Sequence, residues 1–287
     1  MRSEEEILNT IINRAEGDDR IRAALLNGSR ADADTAQDMF QDFDVAYFVT
    51  DIQSFTNDHR WIDCFGDRII LQMPEAMEDP PPANNGRFPY LMQLVDGRID
   101  LTLVPIAEAD SYDDGPSVVL LDKDGLLKHQ SSFADRRHVS VPSAKLFSDC
   151  CNEFWWMCLN VAKGLWRKEI TYAKYMFGQT HRDQLMKMLN WYIAAGSNPN
   201  CNPGKFGRYI ERCLEPPLWE LLLSTYSDAD IGHTWRSLEG MCALFRIAAR
   251  RVSNQLSFPY AVVEDERVTA RLERVRSLSQ ANASPRI

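Results

Sequence analysis

Hydrophobic residues follow two different periods along the chain, and the change falls at Pro142. Before this proline, apolar residues come in short runs or alternate with polar ones, a pattern typical of strands. After it, apolar residues recur every three or four positions, as on the buried face of a helix. The pattern therefore predicts an α+β protein with two domains, residues 1–141 and 142–287.

The first domain is predicted to begin with a helix over residues 4–15. Ser3 and Glu6 form a capping-box pattern, because each side chain can accept a hydrogen bond from the backbone N–H group of the other residue. Asp96-Gly97 favours a tight hairpin, since both residues tolerate the positive φ that a two-residue turn requires. Strands are predicted at residues 21–26, 42–49, 68–72, 90–95, 98–104 and 118–121.

The second domain is predicted to be an all-helical bundle. Ser143 is a typical helix cap before a long run of apolar and aromatic residues. Residues 198–205 are rich in Asn, Pro and Gly and predict a break. Further helices are predicted at residues 168–177, 181–195, 206–214, 217–226, 231–256 and 264–277.

Composition favours a cytoplasmic globular protein. The 287 residues are 45% hydrophobic and 25% charged, and no segment is long and apolar enough for a membrane span. The first residues carry three acids where a signal peptide would need basic residues, so secretion is not expected. The seven cysteines are odd in number and lie at no metal-binding spacing, which predicts buried thiols in a reducing compartment rather than a disulfide framework.

The net charge of −9 indicates which kinds of ligand the protein can bind. A protein that binds the phosphate backbone of a nucleic acid normally has a clustered basic surface. The negative charge therefore disfavours nucleic acid as a partner and favours cationic ligands. The five histidines stand in no motif with serine or cysteine, which disfavours a covalent catalytic intermediate.

Two aspartates on one predicted strand carry the clearest chemical signal. Asp42 and Asp44 are two residues apart, so their side chains project from the same face of the strand. Asp100 lies on a later strand, on the face opposite Ile99 and Leu101, and a neighbouring strand could bring it beside the pair. Close carboxylates repel one another, and a hard cation such as Mg²⁺ relieves that repulsion. An Asp-x-Asp pair also occurs in metal-dependent glycosyltransferases and on solvated strand edges, so alone it leaves the reaction open.

Gly28-Ser29 favours a triphosphate among these alternatives. The pair follows a predicted strand and precedes Asp42 by about fourteen residues. Glycine lets backbone N–H groups approach a phosphate, and serine adds a hydroxyl donor. The order of Gly-Ser, Asp-x-Asp and a later isolated aspartate is more specific than any one of these features.

In this order of motifs the chain resembles the nucleotidyltransferase superfamily, and within it the aminoglycoside 6-adenylyltransferases, also called streptomycin adenylyltransferases. The resemblance covers nearly the whole chain and is weakest in residues 196–203 and the last twenty residues. It rests on residues 28–30, 41–51, 100–105, 120–124, 150–155, 161–165, 188–191, 204–205 and 224–227.

The resemblance implies a nucleotidyltransferase domain with a mixed β-sheet flanked by helices, followed by a helical domain that binds the acceptor. It implies that AMP passes from Mg-ATP to a hydroxyl of streptomycin, with one or two Mg²⁺ ions. Asp42 and Asp44 would ligate the metal, and Asp100 would act as a ligand, as the general base, or as both. Gly28 and Ser29 would hold the phosphates.

Further binding residues are expected on the same grounds. Arg30 and Lys205 are candidate phosphate contacts, although Arg30 could instead pair with Asp32 or Asp34, and Lys205 could be a solvated lysine. A polycationic aminoglycoside needs acids and flat aromatic faces. Glu169, Asp183 and Trp155 are therefore candidate substrate contacts.

Other functions stay open at this stage. One is transfer to another small acceptor, with either ATP or GTP as donor. Another is an antitoxin-like module that keeps the fold but binds a protein partner, although intact Asp42, Asp44 and Asp100 argue against lost chemistry. The oligomeric state cannot be derived from these patterns.

Overall fold

A computed structural model of the chain describes residues 2–31, 38, 40–127, 141–196 and 201–278. The chain divides into two compact units, Met1–Arg136 and Arg137–Ile287. The sequence predicted a boundary between residues 141 and 142, and the separate roles assigned to the two parts stay predictions. Within the described residues, none of the helices has the length and apolar character needed to cross a membrane.

The first unit is built on a six-stranded mixed sheet, which confirms the expected fold class. The strand order is β3-β4-β5-β2-β1-β6, in which β2 and β5 are parallel and the other neighbours are antiparallel. The Ser3–Glu6 capping box is present at the start of α1. The elements are α1 Glu4–Glu16, β1 Ile21–Asn27, β2 Phe43–Val49, α2 Gln53–Thr56, β3 Arg68–Gln72, β4 Phe88–Leu94, β5 Gly97–Pro105 and β6 Ser117–Asp122.

Both faces of the central strands are buried, which explains why β2 is apolar at nearly every position. One face packs in a core that includes Ile11 of α1, and the Tyr47 hydroxyl donates to the Ile11 carbonyl oxygen at 2.5 Å. The other face carries Ala46 and Phe48, and Phe48 packs edge-on against Tyr112 at 5.1 Å between ring centroids. Asp44 and Asp100 belong to this second face, because strand side chains alternate.

The hairpin between β4 and β5 is confirmed, but the predicted turn is wrong by one residue. Leu94 pairs with Gly97, so Val95 and Asp96 form the turn, without the expected positive φ. Arg2 holds the Asp96 carboxylate, donating to its two oxygens at 2.8 and 3.0 Å. Gly97 instead allows close packing, since a Cβ there would lie 3.3 Å from Ile7.

The second unit is helical, and Ser143 caps its first helix by accepting a hydrogen bond from Leu146 N–H. A π-helical turn, Phe177–His181, joins two of the helices. The buried core of the second unit includes Phe154 and Phe245, whose rings stack at 3.6 Å between centroids. The helices are α3 Ala144–Trp166, α4 Ile170–Met176, α5 Arg182–Ala194, α6 Pro216–Ser224, α7 Ile231–Leu256 and α8 Val262–Ser277.

Two predictions for this unit are wrong. The helix predicted at 206–214 is replaced by two 3₁₀ turns, Lys205–Gly207 and Ile210–Cys213. Phe206 has a φ of 57° and cannot continue a right-handed helix. Cys201 and Cys213 form a disulfide across this segment, so the cysteines are not all thiols.

The other cysteines match the prediction in part. Cys64 is exposed, and the remaining four are buried thiols, namely Cys150, Cys151, Cys158 and Cys242.

Candidate active site

Three polar residues form a row across the middle of the sheet. On β2, Asp44 lies opposite Asn27 of β1 on one side and beside Asp100 of β5 on the other. Directly paired positions on adjacent strands place side chains on the same face within about 5 Å. The parallel pairing of β2 and β5 therefore brings together the two aspartates that the sequence separates by 56 positions.

Gly28 is required where the chain leaves β1. Its φ is +73°, a conformation that L side chains rarely adopt. A Cβ built at this position would lie only 2.2 Å from an Oδ of Asp44, so the glycine makes room for the carboxylate. The predicted Gly-Ser turn thus packs directly against the predicted Asp-x-Asp pair.

The carboxylate of Asp44 is in an unfavourable environment. Its pKa is raised from 3.8 to about 6, mainly because burial removes the carboxylate from water. The like charges of Asp100 and Asp42 raise this pKa as well, whereas the charge of Arg98 opposes the shift. A cation placed here would stabilise the charged form.

Among the described residues, the guanidinium of Arg98 contacts two of the three aspartates. It donates to both carboxylate oxygens of Asp100, at 2.8 and 2.7 Å, and its Nε lies 3.6 Å from an Oδ of Asp42. Across the described ranges, no three Asp, Glu, His or Cys side chains already stand around one point in the arrangement of a metal site. Asp42, Asp44 and Asp100 are close neighbours, but Asp100 faces the guanidinium.

The chemistry of the donor set nevertheless fits a divalent cation. Three ionised carboxylates and one guanidinium leave a formal charge of −2, and carboxylate oxygens are the ligands that Mg²⁺ prefers. Asp42, Asp44 and Asp100 would hold such an ion, provided that Arg98 gives up its bonds to Asp100.

Arg30 is engaged in contacts within the first unit. Its guanidinium donates to the Asp42 and Gln41 carbonyl oxygens at 3.1 and 2.8 Å, and pairs with Glu4 at 2.9 Å. It also lies over the ring of Phe43, 4.0 Å from the ring centroid. The alternative partners Asp32 and Asp34 lie outside the described residues. These contacts hold the start of β2, and a phosphate role for Arg30 stays a prediction.

The Ser29 hydroxyl has no hydrogen-bond partner in the part of the chain that the structure describes. Its backbone carbonyl oxygen accepts from the Gln41 side chain at 3.4 Å. The phosphate role of Ser29 stays a prediction.

The remaining candidates lie in the second unit. Lys205, Glu169 and Asp183 are exposed, at the start of a 3₁₀ turn, before α4 and in the first turn of α5. Trp155 is only 2% exposed and packs edge-on against Phe154 and Phe245, which makes it a core residue. The exposed positions of Lys205, Glu169 and Asp183 leave their binding roles as predictions, whereas the burial of Trp155 does not favour its predicted contact with substrate.

Two residues of the site were missed in the sequence. Arg98 shares a strand face with Asp100, and the two-residue period that selected the aspartates would also have selected it. Asn27 is 5% exposed, and its amide nitrogen donates to the Tyr112 hydroxyl at 3.1 Å. Nothing in the local sequence marks Asn27, since its position depends on the pairing of β1 with β2.

Comparison with known proteins identifies the family. The streptomycin adenylyltransferase family matches residues 1–275 of the chain. An aminoglycoside 6-adenylyltransferase of Bacillus subtilis (strain 168) is 40% identical over 265 residues, which cover 91% of this chain and 93% of that protein. A Campylobacter jejuni protein of the same name is 40% identical over 270 residues, covering 93% of each chain.

Two further similarities were found. A Staphylococcus aureus aminoglycoside 6-adenylyltransferase is 34% identical over 258 residues, which cover 88% of this chain and 92% of that protein. A crystal structure of an aminoglycoside 6-adenyltransferase from Bacillus subtilis is 36% identical, covers 97% of this chain and all of its own, and has a TM-score of 0.48. Because the family match and the relatives span most of the sequence, this chain belongs to the streptomycin adenylyltransferase family and is a nucleotidyltransferase.

Proposed function

We propose that the protein transfers AMP from Mg-ATP to a hydroxyl of streptomycin and releases pyrophosphate. The observation that carries this proposal is the position of Asp44 beside Asp100 on adjacent parallel strands, with Asp42 two residues earlier. Family membership selects nucleotidyl transfer from the reactions that such an acidic site supports. ATP as donor implies a cytoplasmic location, which is part of the proposal.

Asp42, Asp44 and Asp100 would hold Mg²⁺ through their oxygens. When bound, the metal neutralises negative charge on the phosphates and aligns the donor for displacement. The raised pKa of Asp44 supports this assignment, because a carboxylate destabilised by burial and by like charges gains most from a cation.

Gly28 and Ser29 of the first unit would bind the phosphates, and Lys205 is a separate candidate for a phosphate contact. Gly28 brings the backbone close to the carboxylate of Asp44, and Ser29 offers a hydroxyl that has no partner among the described residues. Lys205 is exposed and able to act as a point charge on a phosphate oxygen. These assignments follow the family resemblance.

The transfer would be a single in-line displacement. The acceptor hydroxyl oxygen attacks the α-phosphorus, the bond from that phosphorus to the bridging oxygen breaks, and pyrophosphate leaves with the electron pair. The hydroxyl proton passes to a carboxylate, for which Asp100 is the candidate base. Asp100 must first lose at least one of its two hydrogen bonds to Arg98.

The acceptor would be recognised through charge. Streptomycin is cationic, and the net charge of −9 favours its approach. Glu169 and Asp183 are exposed carboxylates that could bind its cationic groups. Trp155 is buried, so the proposal gives it no contact with the drug.

The test is acceptor-dependent release of pyrophosphate. The purified protein is incubated with Mg-ATP alone, with streptomycin and with a panel of other aminoglycosides. Release that requires streptomycin supports the proposal, whereas release with another aminoglycoside alone would change the acceptor. No acceptor-dependent release across the panel would refute it.

Variants connect this activity with the site. Asp42→Asn and Asp44→Asn should abolish release, because each removes a metal ligand while keeping the size of the side chain. Asp124→Asn is the matched control, since Asp124 pairs with Arg22 by two hydrogen bonds in the same unit but is not one of the three site aspartates. Near-normal turnover of either site variant would show that the residue is not a ligand.

A further inference from the structure

Arg98 lies on β5 two residues before Asp100 and therefore on the same face of the sheet. Both of its bonds to Asp100 are short, and the fork geometry of the guanidinium matches the two carboxylate oxygens. Its approach to Asp42, at 3.6 Å, makes it the shared partner of two of the three aspartates. The arginine side chain is 41% exposed, so it has room to move into solvent.

The bonds of Arg98 occupy the same oxygens that a metal would use. A carboxylate oxygen that accepts from a guanidinium can also touch a metal only if two cations come close together, and like charges a few ångströms apart repel. The proposed metal site and the observed ion pair are thus alternatives at Asp100.

The charges explain why an arginine is placed here. Without any cation, three carboxylates would repel one another across two adjacent strands. Arg98 offsets one of the three negative charges, and its Coulombic effect stabilises the charged form of Asp44. The metal-free site is therefore partly neutralised by the protein itself.

We propose that Arg98 is an internal counter-cation, which holds Asp100 and Asp42 in the metal-free protein and competes with the divalent cation for them. This inference rests on the proposed function, since it requires that the aspartates bind the metal. Arg98 acts through the carboxylates and is a positioning residue for the transfer reaction.

The experiment measures binding of Mn²⁺ alone, without nucleotide, by electron paramagnetic resonance at pH 8. Arg98→Met removes the competing charge and should bind Mn²⁺ about fivefold more tightly, the factor for loss of an ion pair of about 1 kcal/mol. Arg98→Gln, a second neutral variant, should show the same increase in Mn²⁺ affinity. It replaces Arg98→Met in the test if the methionine disturbs folding. Arg98→Lys keeps the charge and should stay closer to the wild type. Arg22→Met is the matched control, because it breaks a similar pair with Asp124, and it should leave Mn²⁺ affinity unchanged.

A second measurement separates this role from simple packing. In EDTA, Arg98→Met should lower the resistance of the first unit to urea, and this loss should largely disappear when Asp100 is replaced by Asn. A stability loss that is the same in both backgrounds would show that Arg98 acts by packing, and would overturn the proposal.

The outcomes distinguish the two proposals. If the wild type binds no Mn²⁺, or if Asp44→Asn does not weaken binding, the metal site of the proposed function is wrong and the inference falls with it. If the wild type binds Mn²⁺ through Asp44 but the neutral Arg98 variants bind it equally or more weakly, only the counter-cation role is overturned.

Discussion

Asp44→Asn should stabilise the metal-free protein while it abolishes catalysis. The carboxyl pKa rises from 3.8 in the unfolded chain to about 6 in the folded one. A raised acid pKa means that the folded state binds the proton more tightly, so the ionised carboxylate destabilises the fold above pH 6. This penalty shrinks as the pH falls through 6 towards 3.8.

The size of the expected stabilisation follows from the same pKa shift. About two pKa units correspond to roughly 3 kcal/mol at 1.36 kcal/mol per unit. Asp44 is only partly buried, and solvent screening reduces this figure to about 1–2 kcal/mol. We therefore expect Asp44→Asn to raise the free energy of unfolding by about 1–2 kcal/mol at pH 8.

The assay is hydrogen exchange of peptides from β2 and β5 under increasing urea, in EDTA, at pH 8 and pH 4.5. These peptides report on the first unit alone. The gain should be present at pH 8 and largely lost at pH 4.5, where Asp44 is protonated in the folded wild type. Asp124→Asn should give no gain at pH 8, because the pKa of Asp124 is lowered by its hydrogen bond with Arg22. No gain at pH 8, or an equal gain at both pH values, would show that burial and neighbouring charges do not destabilise the ionised carboxylate of Asp44.

Three other predictions test separate features. Gly28→Ala should reduce turnover at least tenfold and lower the free energy of unfolding by about 1–2 kcal/mol, because the new Cβ would meet Asp44 and the φ of this residue is positive. Steady-state kinetics measures the turnover, and urea unfolding measures the stability. Lys205→Gln should raise KM for ATP several-fold with an unchanged circular dichroism spectrum. Burial lowers the pKa of His181 from 6.5 to about 3, so in mild acid the unfolded chain binds a proton that the folded chain does not. The free energy of unfolding of the second unit should therefore fall by about 2 kcal/mol between pH 7 and pH 5. Tryptophan fluorescence during urea unfolding measures that loss, which His181→Leu should remove.

The period of apolar residues predicted most elements of the fold. Each strand between Ile21 and Asp122 lies within a few residues of its predicted position, because alternation and turn residues are local properties. The order of the strands is not local. Alternation places Asp100 on a polar face, but only the parallel pairing of β2 with β5 brings it beside Asp44.

Each difference from the predicted fold has a physical cause in the structure. The predicted helix at 206–214 is interrupted because Phe206 is left-handed and a disulfide joins Cys201 to Cys213. The hairpin turn is shifted because Arg2, far away in sequence, holds Asp96. Arg98 was missed although its spacing from Asp100 was visible, because its contact with Asp42 depends on the pairing of β5 with β2.

The proposed reaction is the transfer of AMP to streptomycin at the site of Asp42, Asp44 and Asp100. The most direct measurement is the mass of streptomycin after incubation with Mg-ATP and the wild-type protein, alongside Asp44→Asn. The wild type should add one AMP to the drug and release an equal amount of pyrophosphate, and the variant should leave the drug unchanged. Unmodified streptomycin with intact ATP in the wild-type reaction, or a modified drug in the Asp44→Asn reaction, would contradict it.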